Sequence, residues 1–172
     1  MSLITPNEFV LETSLLFASI LKCILTTGDH CLAYHQAAQS VYNFGSERMV
    51  ALWKQVEEAS GSLPNMRLNS GNATHLRFPF LLAVNEMLEI DLNQHDPRKQ
   101  FIDSAVRTLS KGFNTDTNCS VVLGLVGSII GYNNIPSYFV DKLLHAPQSR
   151  SKSHPTDYSS GRVVGLVSGL LR

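Results

Sequence analysis

The chain has 172 residues, enough for one domain with a substantial core. Hydrophobic residues make up 44% of it, and 14 basic residues balance 14 acidic ones, so the net charge is zero. This composition is typical of a folded protein and excludes a disordered chain. It gives no electrostatic reason to expect a nucleic acid or an anionic membrane as a partner.

Apolar residues recur at helical spacing from the N-terminus onward. Thr5-Pro6-Asn7-Glu8 predicts a capping box, with Thr5 as the N-cap of a first helix. We expect its inward face to carry Phe9, Leu16, Phe17, Ile20, Leu21 and Ile24. No basic region precedes this helix and polar residues interrupt it, so we expect neither a signal peptide nor a membrane span.

Short polar residues mark the start of the next helices. Asp29 is predicted to cap a second helix that runs to about Asn43, and Ser46 to cap a third that ends near Gly61. Residues 62–73 are rich in Asn, Ser, Gly and Pro, which predicts an ordered loop before a fourth helix over residues 74–90. Asp96-Pro97 is predicted to open a fifth helix. Its inward residues are expected to be Phe101, Ile102, Ala105, Val106 and Leu109.

A sixth segment, residues 115–130, is nearly apolar all round and is therefore predicted to be the central helix. Gly124, Gly127 and Gly131, with Ser128, give it a thin side where another backbone can approach closely. A short seventh helix is predicted over residues 137–145, and residues 147–160 are expected to be irregular. No alternating strand pattern occurs. The sequence therefore predicts an all-α fold in a single domain covering residues 1–172.

The segment Gly112-Phe113-Asn114-Thr115-Asp116-Thr117-Asn118 places several oxygen-bearing side chains directly before the apolar part of the sixth helix. Asn114, Asp116 and Thr117 offer amide, carboxylate and hydroxyl oxygens. Hard divalent cations such as Mg²⁺ prefer oxygen ligands. Asn, Asp and Thr are also ordinary N-cap residues, so the segment alone fits either a metal site or a helix cap.

This heptapeptide resembles the C-terminal metal signature of the ADP-ribosylglycohydrolases, usually written G-G-D-T-D-T-N. Three further segments follow the family's order: residues 3–7, similar to its L-T-H-P-N motif, the helix over residues 75–87, and the Ile-Pro turn and helix over residues 135–144. The resemblance covers roughly residues 2–160 and implies a helical bundle of that type. The bundle is expected to be incomplete, because the segments match only the C-terminal half of the family's domain.

The family cleaves the glycosidic bond between ADP-ribose and a protein side chain or a small acceptor, using two magnesium ions. The resemblance therefore implies a magnesium-dependent hydrolase that binds ADP-ribose or an ADP-ribosylated protein. The three cysteines, an odd number without C-x-x-C spacing, are expected to be reduced thiols, which predicts an intracellular, cytoplasmic protein. By position in the motif, Asn114, Asp116 and Thr117 would be metal ligands, and Asp116 would be the catalytic residue.

Three departures from the family pattern leave the activity open. Asn114 replaces the first Asp of the signature, Thr5 replaces a His, and no T-D-D triplet occurs in the chain. One alternative is an enzyme whose site is completed by another chain or by the rest of a longer gene product. The other is a catalytically inactive helical fragment that binds ADP-ribose weakly or acts as an interaction module. In either case the missing helices would leave an apolar face uncovered, which predicts self-association or a complementing chain.

Other residues with chemical potential fit structural roles better. His30 and His35 lie five residues apart, which does not place them together on one helical face. His75 is expected at a helix start, and Trp53 shares a helical face with Met49 and Val56, so we expect it in the core.

Overall fold

A computed structural model of the protein describes residues 7–58, 77–112 and 114–145. These residues form α-helices joined by short turns, and no strand occurs among them. The predicted all-α fold is confirmed. The predicted loop over residues 62–73 and the predicted irregular segment over residues 147–160 lie outside this part of the chain, as does His75.

The helices within the described ranges are α1 Glu8–Thr27, α2 His30–Phe44, α3 Glu47–Glu58, α4 Arg77–Leu88, α5 Pro97–Ser110, α6 Thr115–Ile130 and α7 Ser137–Leu144, with a 3₁₀ turn at Tyr132–Asn134. Contacts divide the chain after Asn134 into two compact units. The first contains α1 to α6, and the second contains α7. That all 172 residues form one domain stays a prediction.

Local sequence determines most of the helix starts. The carboxylate of Asp29 accepts a hydrogen bond from the Leu32 amide (2.8 Å), and that of Asp96 accepts one from the Arg98 amide (3.0 Å). The Ser46 hydroxyl accepts from the Met49 amide at the start of α3. Each bond satisfies an amide that has no partner within its own helix. All three predicted caps are confirmed.

The predicted start of α1 is wrong by two residues. Asn7, not Thr5, is the N-cap, because its side-chain oxygen accepts a hydrogen bond from the Val10 amide (3.3 Å). Asn caps helices as well as Thr does, and the capping-box pattern did not distinguish them. Thr5 and Pro6 lie outside the described residues. At the other end, Gly28 adopts a left-handed conformation (φ 72°) and ends the helix.

The core is built around α4, whose residues from Phe80 to Met87 are all buried. This segment is apolar on every side apart from Asn85 and Glu86, and a helix of that kind is stable only when other helices surround it. α6 packs against both α4 and α5, and α1 packs against α2. α6, predicted to be central, has one exposed edge formed by Asp116, Thr117, Ser120 and Gly124. The most enclosed helix is therefore α4.

The predicted inward face of α5 is only partly correct. Phe101 and Ala105 are buried, each 4% exposed, but Ile102, Val106 and Leu109 are 43%, 59% and 54% exposed. The polar residues Gln100, Ser104 and Thr108 are buried instead. They are tolerated because each forms hydrogen bonds there: the Gln100 amide bonds to the backbone of Asp91 and His95, and the other two bond within α5.

Two polar contacts connect residues that are distant in sequence. The Glu12 carboxylate on α1 accepts hydrogen bonds from the Ser46 amide and hydroxyl, both at 2.6 Å. This negative charge lies at the N-terminus of α3, where the helix dipole favours it. On α4, the buried Glu86 carboxylate forms a bidentate ion pair with the Arg107 guanidinium on α5. The nitrogen-to-oxygen distances are 2.6 to 3.1 Å.

Among the described helices, α1 is long and apolar enough to cross a membrane, with a mean hydropathy of 1.8 over 18 residues. The expectation that its polar residues exclude a span is therefore wrong by these criteria. Length and composition are weak evidence for a span, because core helices pass the same test. Ile20 and Ile24 on its inner face are buried in the bundle, 1% and 2% exposed.

Candidate functional site

The signature segment lies in the turn between α5 and α6. Gly112 has a positive φ of 76°, and its amide donates to the Leu109 carbonyl at the end of α5. A residue with a Cβ is strained in this conformation, so glycine suits the turn. The next described residue, Asn114, is the N-cap of α6. The chain therefore reverses here and places the three predicted ligands in the first turn of α6.

Asn114, Asp116 and Thr117, the three predicted ligands, lie within one helical turn and are joined by hydrogen bonds. The Asn114 amide nitrogen donates to the Thr117 hydroxyl (2.8 Å), and one Asp116 carboxylate oxygen accepts from the Thr117 amide (2.8 Å). All three side chains are exposed. The Asn114 side chain makes no capping bond to the helix backbone. Three oxygens of this turn are available to bind a ligand: the Asn114 side-chain carbonyl, the second Asp116 carboxylate oxygen and the Thr117 hydroxyl.

The electrostatics of this turn are mixed. Unpaired amides at a helix N-terminus carry partial positive charge, which opposes the binding of a cation. Asp116 is the acidic residue of the first turn of α6 and offsets this charge. Asn114 adds no negative charge, because its side-chain amide is neutral. The turn therefore presents one carboxylate where the family's pattern has two.

These donors match part of a magnesium site. Mg²⁺ requires six oxygen ligands in near-octahedral geometry, of which the turn offers at most three. Nowhere in the described ranges do three His, Cys, Asp or Glu residues form a group able to hold a metal ion. The remaining ligands would be water or groups from outside this part of the chain.

Two residues that follow the turn were given no role by the sequence analysis. Asn118 is 2% exposed, and its amide nitrogen has no hydrogen-bond partner among the described residues. Its helical register with the buried Val122 and Leu125 was the available signal. Burial, and secondly the charge of Asp116, raise the pKa of the Cys119 thiol, so this cysteine is a poorer nucleophile than an exposed one.

The remaining candidates have structural roles. The His30 ring forms a hydrogen bond with the Ile90 carbonyl (3.2 Å) and joins the start of α2 to the segment that follows α4. His35 is exposed on α2. Trp53 is fully buried, as predicted, and stacks on Tyr34 with ring centroids 5.2 Å apart. None of these three contributes to the turn before α6.

The comparisons with known proteins identify no relative. No family model, no curated protein and no solved structure matches this chain.

Proposed function

We propose that this chain is an ADP-ribosylglycohydrolase-like protein. Its site at the start of α6 binds magnesium and ADP-ribose and, when another chain supplies further carboxylates, hydrolyses the bond between ADP-ribose and its acceptor. The observation that carries the proposal is that Asn114, Asp116 and Thr117 share one exposed helical turn with their oxygens available.

Each residue of the turn has a distinct task in this proposal. Asp116 supplies the negative charge of the first turn of α6 and would hold the cation through its second oxygen. The Thr117 amide fixes the first oxygen (2.8 Å) and so orients the carboxylate. Asn114 and Thr117 each add a neutral oxygen and hold one another in place (2.8 Å). Magnesium bound here would supply positive charge that fixes ribose hydroxyls near the bond to be cleaved.

A second function, a catalytically inactive helical module, is favoured by the missing charge. Hydrolysis of a glycosidic bond proceeds through a positively charged state and uses two carboxylic groups. The first turn of α6 provides one, Asp116, and within the described ranges no group of three or more His, Cys, Asp or Glu residues could hold a metal ion. Such a module would bind ADP-ribose weakly or serve as an interaction surface.

Calorimetric titration of Mg²⁺ and then of ADP-ribose into the purified chain tests the proposal. Wild-type protein is expected to bind Mg²⁺ weakly, and Asp116→Ala to lose that binding. Asn114→Asp restores the second negative charge, so it should tighten Mg²⁺ binding by about tenfold or more. Glu47→Ala is a matched control, because Glu47 is an exposed acidic residue in the first turn of α3.

The pattern across the variants decides between the two functions. Magnesium-dependent ADP-ribose binding that is lost in Asp116→Ala and kept in Glu47→Ala supports the proposed site. ADP-ribose binding that is unaffected by chelator and by Asp116→Ala supports the inactive module. No binding by the wild type or by Asn114→Asp, in protein shown to be folded by circular dichroism, contradicts the proposal.

A further inference from the structure

The outward face of α1 carries a regular, mostly apolar pattern on the side of the helix that faces away from the described core. Its residues recur at alternating intervals of three and four, the spacing of a coiled-coil seam. We call this set the α1 stripe: Glu8, Leu11, Leu15, Ala18, Lys22 and Leu25. Leu15 and Leu25 are 59% and 67% exposed, Glu8, Ala18 and Lys22 are also exposed, and Leu11 is half-buried.

The stripe explains the unusual composition of α1. The helix has a mean hydropathy of 1.8, yet only 28% of its most apolar window is buried. Helices on the surface of a bundle normally carry polar residues on their outer face. At 100° per residue, the α1 stripe lies opposite the buried residues Leu16, Ile20 and Ile24. α1 therefore has two apolar faces, and only one of them is covered within the described residues.

The uncovered surface extends beyond α1. Leu15 and Phe44, the last residue of α2, line the same shallow groove, about 190 Å³ in volume. Phe44 is 88% exposed, the highest value among the large apolar residues described. Stripe and groove thus form a continuous apolar surface of a kind that marks an interaction site.

We propose that this surface binds a second copy of the chain, with the two α1 helices packed antiparallel about a twofold axis. The positions of the charged residues in the α1 stripe are the reason for proposing a second copy as the partner. Glu8 lies at one end of the stripe and Lys22 near the other, seven residues from Leu15 in each direction. A twofold axis near the middle of α1 brings Glu8 of each copy close to Lys22 of the other. The stripe is therefore complementary to itself.

Only the antiparallel arrangement has this property. Parallel helices in register would place Glu8 beside Glu8 and Lys22 beside Lys22, which is repulsive at both ends. Between the charged ends, Leu15 of each helix would lie beside Leu15 of the other at the axis, and Leu11 of each would meet Ala18 of the other. The small Ala18 near the centre lets the helices approach closely, and the Lys22 stem covers apolar surface while its charge reaches Glu8. This proposal does not depend on the proposed activity.

Sedimentation velocity over a concentration series is the first test, and a concentration-dependent dimer is expected for the full chain. Leu15→Glu should raise the dimer dissociation constant at least about tenfold, because it places an unpaired charge in the seam. Val106→Glu on α5 is the matched control, because both residues are 59% exposed. It should leave dimerisation unchanged.

A charge exchange tests the orientation. Glu8→Lys and Lys22→Glu are each expected to weaken the dimer about threefold to tenfold, since each replaces two attractive contacts by repulsive ones. The double variant with both substitutions restores attraction and should recover the wild-type dissociation constant. A parallel pair predicts no weakening by either single variant, so that result overturns the antiparallel arrangement.

An apolar helix face can also bind a lipid membrane, and flotation with phosphatidylcholine vesicles tests for that binding. A chain that stays monomeric throughout the concentration series, whether it floats with vesicles or not, overturns the proposal. A dimer unaffected by Leu15→Glu also overturns it, because the interface then lies elsewhere. Thermal melting followed by circular dichroism identifies any variant whose monomer fails to fold.

Discussion

The ion pair between Glu86 and Arg107 is a residue-scale feature on which the stability of the fold is expected to depend. The Glu86 side chain is 4% exposed and that of Arg107 46%, so the carboxylate depends on its partner far more than the guanidinium does. The hydrogen bonds that Arg107 donates to the Glu86 carboxylate are the main cause that raises the pKa of Arg107. Arg107→Met should lower the free energy of unfolding by about 1–3 kcal/mol, measured by urea denaturation, because a buried charge loses its partner.

The double variant Glu86→Gln with Arg107→Met provides the control for that prediction. It removes the buried charge together with its partner, so it should lose less stability than Arg107→Met alone. Equal losses in the two variants would mean that the methionine disturbs packing and that the ion pair contributes nothing.

A substitution at Gly124 tests whether another backbone packs against the thin side of α6. Gly124 is exposed in the middle of the helix, and a Cβ built there meets no described atom within 4 Å. Gly124→Ala should therefore raise the free energy of unfolding by about 0.5–1 kcal/mol, since alanine loses less backbone entropy in a helix. A loss of stability or of oligomeric state in this variant would show that another backbone does pack against Gly124.

The sequence predicts residue roles well where they depend on neighbours in the chain. The caps at Asp29, Ser46 and Asp96 act over two or three residues, and the ligand candidates Asn114 and Asp116 share one turn. Contacts between distant residues have no such signal. Glu86 and Arg107 are 21 residues apart, and nothing in a helical pattern indicates that they pair.

At the scale of single helices, α5 provides a direct test of which face is inward. Phe101 is 4% exposed and Val106 is 59% exposed. Phe101→Ala should cost about 3–5 kcal/mol of stability, because it leaves a cavity, whereas Val106→Ala should change it by no more than about 0.5 kcal/mol. Urea denaturation of both variants measures the difference. A large loss in Val106→Ala would mean that another part of the protein covers this face.

The incorrect assignment of α5 has a physical cause. Its apolar residues occupy two adjacent faces, and periodicity alone does not decide which one the bundle covers. The polar residues Gln100 and Ser104 decide it, because both find hydrogen-bond partners when buried. The same limit applies to α4 and α6, since both segments are apolar on most sides. Only tertiary contacts show that α4 is surrounded more completely.

At the scale of the whole molecule, two tyrosines predict how stability depends on pH. Burial, and secondly the charge of Glu57, raise the pKa of Tyr34, which stacks on Trp53 in the core. Tyr42 donates a hydrogen bond of 2.6 Å to Glu57, and this bond is the main cause that raises its pKa. Both tyrosines therefore hold their protons more tightly in the folded chain than in the unfolded one.

The raised pKa values fix the direction of the pH effect. The stabilisation contributed by the two protonated tyrosines is fully present below the tyrosine pKa of the unfolded chain, about 10. It is lost as the pH rises through the higher pKa values of the folded chain. The free energy of unfolding, measured in urea at a series of alkaline pH values, should therefore fall above about pH 10. Tyr34→Phe and Glu57→Gln should each make that fall less steep, because one removes a titrating group and the other removes the charge that acts on both. An unchanged slope in Glu57→Gln would contradict the role assigned to this carboxylate.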